Sequence, residues 1–322
     1  MQRCPDILSY LQGRVDRSTR RGQFVLTGSQ QFHLLDTITQ TLAGRVGTVE
    51  LFPFSYQELR AAKRAPATLA EALWRGGYPP LFDTPSAQPV RWLNAYLRTY
   101  VERDVRAVVN IRDLDAFQRL LRLCAAHAGQ LLNTVQLGAD AGVSHNTVRA
   151  WLSVLEAGFI VFRLPPALAN LRKRIVRTHK LYFYDTGLLC RLLGIDTPGQ
   201  VLQHPLRGAI FENWVVVEIM KGLRNRGLEP SLAFWRDAVG HEVDIVRQHG
   251  GSLDAWECKS GATYVAEWAK GLDYWRGHAG STRTRLGVIY GGDTSFVRSG
   301  VRVVAWREAD KAAKPRYEIS SS

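Results

Sequence analysis

The sequence predicts a multidomain α/β protein, and three patterns carry that expectation. Within the first 60 residues an apolar run, a polar turn, a helical stretch and a second apolar run follow one another, which suggests part of a parallel α/β sheet. Between Gln130 and Leu164 two helical stretches flank Gly142-Val143-Ser144 and lead into a short apolar strand. The C-terminal third reads as an apolar helix, three strands, a helix and two strands. These patterns divide the chain into a partial α/β half-domain at 1–60, a helical linker at 61–127, a winged-helix-like unit at 128–206 and an α/β unit at 207–322.

In the first unit, PDILSYLQGRV has the spacing of an amphipathic helix. QFVLTGSQQ follows as a buried strand over FVL, running into the polar turn Thr27-Gly28-Ser29-Gln30. A helix is expected from Phe32 to Leu42, then a second strand in GTVELFPF. Ser55 with Glu58 three residues on is a capping-box signature for the next helix. The connector Arg60 to Ser86 contains a short helix, TLAEALWRGG, stopped at Gly76-Gly77. A long helix from Pro89 to Val109 and another from Leu114 to His127 complete the linker, with Trp92, Tyr96 and Thr99 at helical spacings.

TVQLGADAGVSHNTVRAWLSVLEAGFI has helix-turn-helix spacing, with Ser144 as the cap of its second helix and FIVFRL as a wing. On that second helix His145, Asn146 and Arg149 are candidates for base contacts. Winged helices also serve as spacers and docking modules, so both readings stand open there. Val161 to Leu181 carries Arg163, Arg172, Lys173, Arg174, Arg177 and Lys180 and no acid, which favours nucleic acid for this stretch.

In the last unit, GAIFENWVVVEIMK is apolar on nearly every side, as a buried helix is. Glu212 shares its stripe with Val215, Val216 and Ile219, so its carboxylate needs a partner or must give up its charge. SLAFWRDA is a strand. AVGHEVDIVRQHGGSLDAWECKSG is a hairpin centred on Gly250-Gly251. That turn pairs His249 with Ser252, sets Asp244 opposite Glu257 and Glu242 opposite Lys259, and puts Glu257 and Lys259 on one face. Two opposed carboxylates repel unless a cation lies between them, and Mg²⁺ is suited to that role. A solvated hairpin with a Glu-Lys pair explains the same residues without a metal.

Glu212, Asp244, Glu257 and Lys259 on this helix-strand-strand-strand frame resemble the PD-(D/E)XK restriction-endonuclease-like superfamily. The resemblance implies a Mg²⁺ site built by Glu212, Asp244 and Glu257, with Lys259 completing a catalytic set for phosphodiester hydrolysis of DNA. The alternative is the same fold without catalysis, as a nucleic-acid clamp or partner-docking module. QRCPDI, FVLTGSQQFHLL, LAGRV, ELFPFSYQEL, YLRTYVERDVR and KLYFYDTGLLCRLLGI resemble a family of bacterial and archaeal AAA-type ATPases, and this likeness covers nearly the whole chain. It implies nucleotide-sensing roles for Ser29 and Arg45. No G-x-x-x-x-G-K-[ST] occurs in the sequence, so the chain is expected to be a truncated member that does not hydrolyse ATP. An exposed sheet edge left by truncation would favour self-association or a protein partner.

Composition agrees with these expectations. Hydrophobic residues make up 46% and charged residues 22%, and no apolar run reaches the roughly 18 residues of a membrane span. No signal-peptide core is visible at the N-terminus, and Cys4, Cys124, Cys190 and Cys258 are scattered. A reducing cytoplasm away from membranes is therefore expected. The net charge of +13 and pI near 9.9 favour polyanions, although an Arg-rich composition from a GC-rich genome produces the same numbers.

Overall fold

The computed structural model describes residues 7–18, 20–26, 42, 44–83, 88–99, 113–167, 178–249, 251–279 and 282–313. Among these, β1 (Val161–Leu164) and β2 (Lys180–Phe183) pair antiparallel, with Leu164 opposite Lys180. β3 (Leu232–Arg236), β4 (Glu242–His249), β5 (Ser252–Lys259), β6 (Arg283–Tyr290), β7 (Phe296–Arg298) and β8 (Val301–Ala305) form a six-stranded mixed sheet in the order β3-β4-β5-β6-β8-β7. β3, β4 and β5 are antiparallel neighbours, whereas β5, β6 and β8 run parallel. A parallel pair needs a crossover. The helix Lys270–Arg276 supplies it between β5 and β6. The expected element order gains one short strand, β7, on the sheet edge.

The helix Arg207–Arg224 packs its apolar side chains with Leu232, Phe234, Ile245, Trp256, Cys258, Ile289 and Val304 of the sheet. Trp235, Val243, Ala255, Val288 and Val303 instead join Leu272 and Trp275 of the crossover helix. The hairpin register is the expected one: His249 pairs with Ser252, and the ladder continues to Ile245 opposite Trp256. Gly251 has φ +76, which a tight turn requires of it, while Gly250 lies outside the described residues. Against β3 the register shifts. Ala233 pairs with Val246 but Trp235 with Val243, so β4 carries one extra residue in the Asp244-Ile245 stretch. Val243 and Ile245 accordingly enter different cores, which an unbroken two-residue alternation would forbid. Such a bulge re-aims the side chains beside it.

The middle of the chain follows its caps. Asn133 accepts hydrogen bonds from the Val135 and Gln136 N–H groups and opens the helix Thr134–Ala141. Gly142 takes the left-handed conformation, φ 76, and Ser144 caps the helix His145–Ala157. Helices Leu69–Arg75 and Leu114–Ala126 form as expected. So does Tyr56–Ala61, opened by the Ser55-Glu58 capping box. The aromatic residues of helix Pro89–Thr99 are structural: Trp92 stacks on Tyr96 at 5.3 Å and both meet Tyr78. The continuation of that helix toward Val109 lies outside the described residues.

Two expected strands are absent. FVL and GTVELFPF are irregular, with Val25, Val49 and Leu51 at 86%, 84% and 88% exposure. A strand is completed by a ladder partner, and no described strand lies beside either segment. The N-terminal helix does form, as Ile7–Asp16, with Leu8 and Leu11 against Leu42. From Tyr56 onward one buried cluster reaches as far as Ala312, so the linker, the helix-turn-helix and the sheet share a core. No described helix is long and apolar enough to cross a membrane.

The Trp256 ring closely approaches Gly287, its ladder partner on β6, which has no side chain. A Cβ there would fall 2.1 Å from the Trp256 ring. Gly287→Ala is expected to cost about 2 kcal/mol or more, because the ring is buried and has nowhere to move. Urea denaturation checks this: a midpoint equal to wild type would show that the sheet tolerates the displacement.

Candidate functional site

The helix Arg207–Arg224, β2, β4 and β5 each bring charged groups to one place. Glu212 comes from the second turn of the helix. Its Oε1 accepts hydrogen bonds from Lys180 Nζ at 2.9 Å and from the Tyr182 hydroxyl at 2.5 Å. The Lys180 ammonium also contacts Glu242, which in turn accepts from Arg236 at 3.0 Å. Asp244 Oδ2 accepts the Cys258 backbone N–H at 2.8 Å, across the hairpin. Glu257 Oε2 accepts from Lys259 Nζ at 2.7 Å, as side chains on one face of β5 should. Asp244 and Glu257 are buried, and Lys180 is only 2% exposed.

The charges feel one another. Burial, with the Asp244 carboxylate beside it, raises Glu212 to about 7, against the opposing pull of Lys180 and Tyr182. Burial and Asp244 likewise raise Glu257 to about 8, with Lys259 opposing. Burial raises Asp244 too, against Lys180 and Lys259. Burial alone would lower Lys180, but the carboxylates of Glu212, Asp244 and Glu242 outweigh it and hold the ammonium charged. The carboxyls of Glu212, Asp244 and Glu257 thus act on one another, with Lys259 alongside. Glu242 departs from expectation. It meets Lys180 and Arg236 rather than Lys259.

Carboxylate oxygens are the right donors for Mg²⁺, and these buried acids outnumber their lysines. Their spacing is not that of a metal cage. Among the described residues no three acidic, His or Cys side chains meet as a ligand set. Lysine ammoniums stand where a cation would bridge the acids, Lys180 on Glu212 and Glu242, Lys259 on Glu257. The residues in this arrangement therefore do not fit a resident metal ion.

Lys180 and Tyr182 were missing from the sequence-derived set. Lys180 was grouped with the basic stretch, but its charge is spent inside the protein. Arg163 of that stretch is paired with Glu156 at 2.5 Å. Arg172, Lys173, Arg174 and Arg177 lie outside the described residues, as does Ser29. His145, Asn146 and Arg149 are exposed at the start of their helix. Arg45, the other nucleotide-sensing candidate, makes a two-point contact with Asp16, at 2.5 and 3.3 Å.

Comparison with known proteins agrees with part of this picture. The family model of an AAA domain matches residues 1–60. Two models described as domains of unknown function match the rest, DUF8612 over residues 66–199 and DUF4143 over residues 207–308. Uncharacterized proteins of Mycobacterium tuberculosis and Mycobacterium bovis are each 32% identical over 265 residues, which is 81% of this chain and 58% of theirs. An uncharacterized protein of Haemophilus influenzae is 22% identical over 184 residues, covering 53% of this chain and 46% of its own. The chain thus spans little more than half the length of these mycobacterial relatives. No solved structure matches. The N-terminal segment is accordingly similar to an AAA-type ATPase family.

The raised carboxyls predict a sign for the pH dependence. Glu212 near 7 and Glu257 near 8 bind protons in the folded state that they release near 4.5 when unfolded. Their contribution is therefore full below about pH 4.5 and is lost as pH rises through 7 to 8. Stability measured by urea unfolding should fall between pH 5 and pH 8, by an amount on the order of a few kcal/mol. Glu257→Gln should flatten that decline; an equally steep decline in the variant would remove Glu257 from the titrating unit.

Proposed function

We propose that this chain is a member of an AAA-type ATP-binding protein family. We further propose that its sheet is a restriction-endonuclease-like module in a catalytically silent, nucleic-acid-associated state. The observation that carries the silent state is the pairing of buried carboxylates with lysines: Lys180 bridges Glu212 and Glu242, and Lys259 engages Glu257. Support for the nuclease-like frame comes from the order helix, three antiparallel strands, crossover helix and parallel strand, with Glu212, Asp244, Glu257 and Lys259 gathered on it. Support for nucleic acid comes from the exposed His145, Asn146 and Arg149 at the start of the second helix of a helix-turn-helix. ATP hydrolysis is not assigned to this chain, because its sequence contains no P-loop.

One observation favours a second reading, Mg²⁺-dependent phosphodiester hydrolysis. Asp244 lies among these acids with a backbone N–H, that of Cys258, rather than a lysine ammonium on its carboxylate. The two readings part in a cleavage assay. Duplex DNA incubated with the protein and Mg²⁺ or Mn²⁺ at pH 7.5 or so should stay intact. Metal-dependent cleavage that disappears in Asp244→Asn would replace the silent reading with the hydrolytic one.

Nucleic-acid association has its own test. Affinity for duplex DNA, followed by fluorescence anisotropy, should fall steeply with salt. Reversing Arg172, Lys173 and Arg174 to Glu should flatten the plot of log affinity against log salt by about one unit per lost phosphate contact. An unchanged slope would take that stretch out of the interface.

A further inference from the structure

Lys180 differs from the other charges of the centre in where it comes from. Glu242, Asp244, Glu257 and Lys259 belong to the sheet, and Glu212 to the helix packed on it. Lys180 belongs to β2, the strand paired with the wing strand β1, and its backbone also bridges to Leu131. Its side chain reaches across to the sheet. The ammonium lies 5.4 Å from the centre of the Phe234 ring, 2.9 Å from Glu212 Oε1 and in contact with Glu242. It is the more deeply held of the two lysines, at 2% side-chain exposure against 34% for Lys259. Lys259 has a single carboxylate contact, Glu257, among the described residues, whereas Lys180 joins two acids from two different elements.

An ammonium and a divalent cation compete for the same negative charge. A lysine donates hydrogen bonds but coordinates no hard cation, so the negative charge its ammonium neutralises and the space it fills are not open to a metal. Asp244 Oδ1, Glu212 Oε2 and Glu257 Oε1 accept no hydrogen bond from the described residues, so donor oxygens remain on every acid of the unit.

We propose that Lys180 is a tethered cation that occupies the carboxylate centre in place of a divalent metal ion. Removing its charge opens the centre to a divalent cation. The inference deepens the silent, nuclease-like reading and rests on it.

The test is Mn²⁺ binding by the whole chain, measured by calorimetry with the metal alone. Lys180→Met keeps an unbranched apolar side chain of similar length and removes the ammonium. It should bind Mn²⁺ about tenfold more tightly than wild type, or better. Adding Asp244→Asn to that variant should abolish the gain, and Lys180→Arg, which keeps the charge, should behave as wild type. Equal affinity in Lys180→Met and wild type, including no binding by either, overturns the proposal. So does an equal gain in Lys180→Arg. If circular dichroism shows Lys180→Met to be unfolded, Lys180→Gln is judged by the same comparison. DNA cleavage by the wild type would sink the silent reading and leave the Mn²⁺ comparison standing, whereas equal Mn²⁺ affinities would sink the Lys180 inference alone.

Discussion

A single helix satisfies the buried polar groups of segments far apart in the chain, and the arrangement of the protein follows from that. Arg207–Arg224 carries Glu212, Asn213, Glu218 and Lys221 within an apolar surround. The Asn213 amide accepts the Phe183 N–H and donates to the Phe183 carbonyl, both at 2.8 Å. Glu218 accepts the Tyr56 N–H at 2.7 Å, and Lys221 donates to the Phe54 carbonyl at 3.1 Å. A buried polar group without a partner costs roughly 1–3 kcal/mol. Each bond therefore penalises any other placement of its segment. Apolar packing alone would allow sliding, since burial is indifferent to direction. Asp185 extends the scheme by accepting the Gly77 N–H at 2.7 Å, where a Cβ on Gly76 would collide with its carboxylate.

The carboxylate centre is a consequence of this docking. With Phe183 fixed to Asn213, Tyr182 and Lys180 reach Glu212 from the same strand. Ion clusters at such depth are usually weak sources of stability, because desolvation offsets the attraction. Burial raises the carboxyls of Glu212 and Glu257 for the same reason. A centre that stores unfavourable charge is one whose occupancy can change with protons or cations, since either relieves the same repulsion.

Much of the sheet could be read from the sequence, because local chemistry specifies it. The turn at Gly251 sets the hairpin register, and the two-residue period then puts Glu257 and Lys259 together. Caps at Ser55 and Ser144 mark helix starts by the same local logic. Lys180 was not legible. Its nearest acid partner along the chain is 32 residues away, and a run of cations gives no sign that one of them turns inward. The β4 bulge was equally hidden, since it shows only when β3 is laid beside β4. FVL and GTVELFPF failed in the opposite direction: their composition suits strands, but propensity expresses how well a residue fits a sheet and cannot supply the neighbour.

The way β2 is held limits how Lys180 could ever leave. On one side β2 pairs with β1. On the other, Gly129 N–H donates to the Leu181 carbonyl at 2.7 Å and Leu181 N–H to the Gln130 carbonyl at 3.2 Å. Leu132 N–H adds a bond to the His179 carbonyl at 2.8 Å. Residues 129–132 and β1 flank the helix-turn-helix in sequence, one entering it and the other leaving it. β2 is thus stitched to both ends of that unit as well as to Asn213. A hinge in β2 alone would break all three attachments, so the strand can move only by carrying the helix-turn-helix with it and giving up the Asn213 bonds. The side chain has a shorter route, by rotamer change, but its ammonium would give up the Phe234 ring and its contacts with Glu212 and Glu242. Both routes are uphill until another cation or protons take over the acids. The helix-turn-helix and Lys180 are thus joined through the backbone hydrogen bonds of β2.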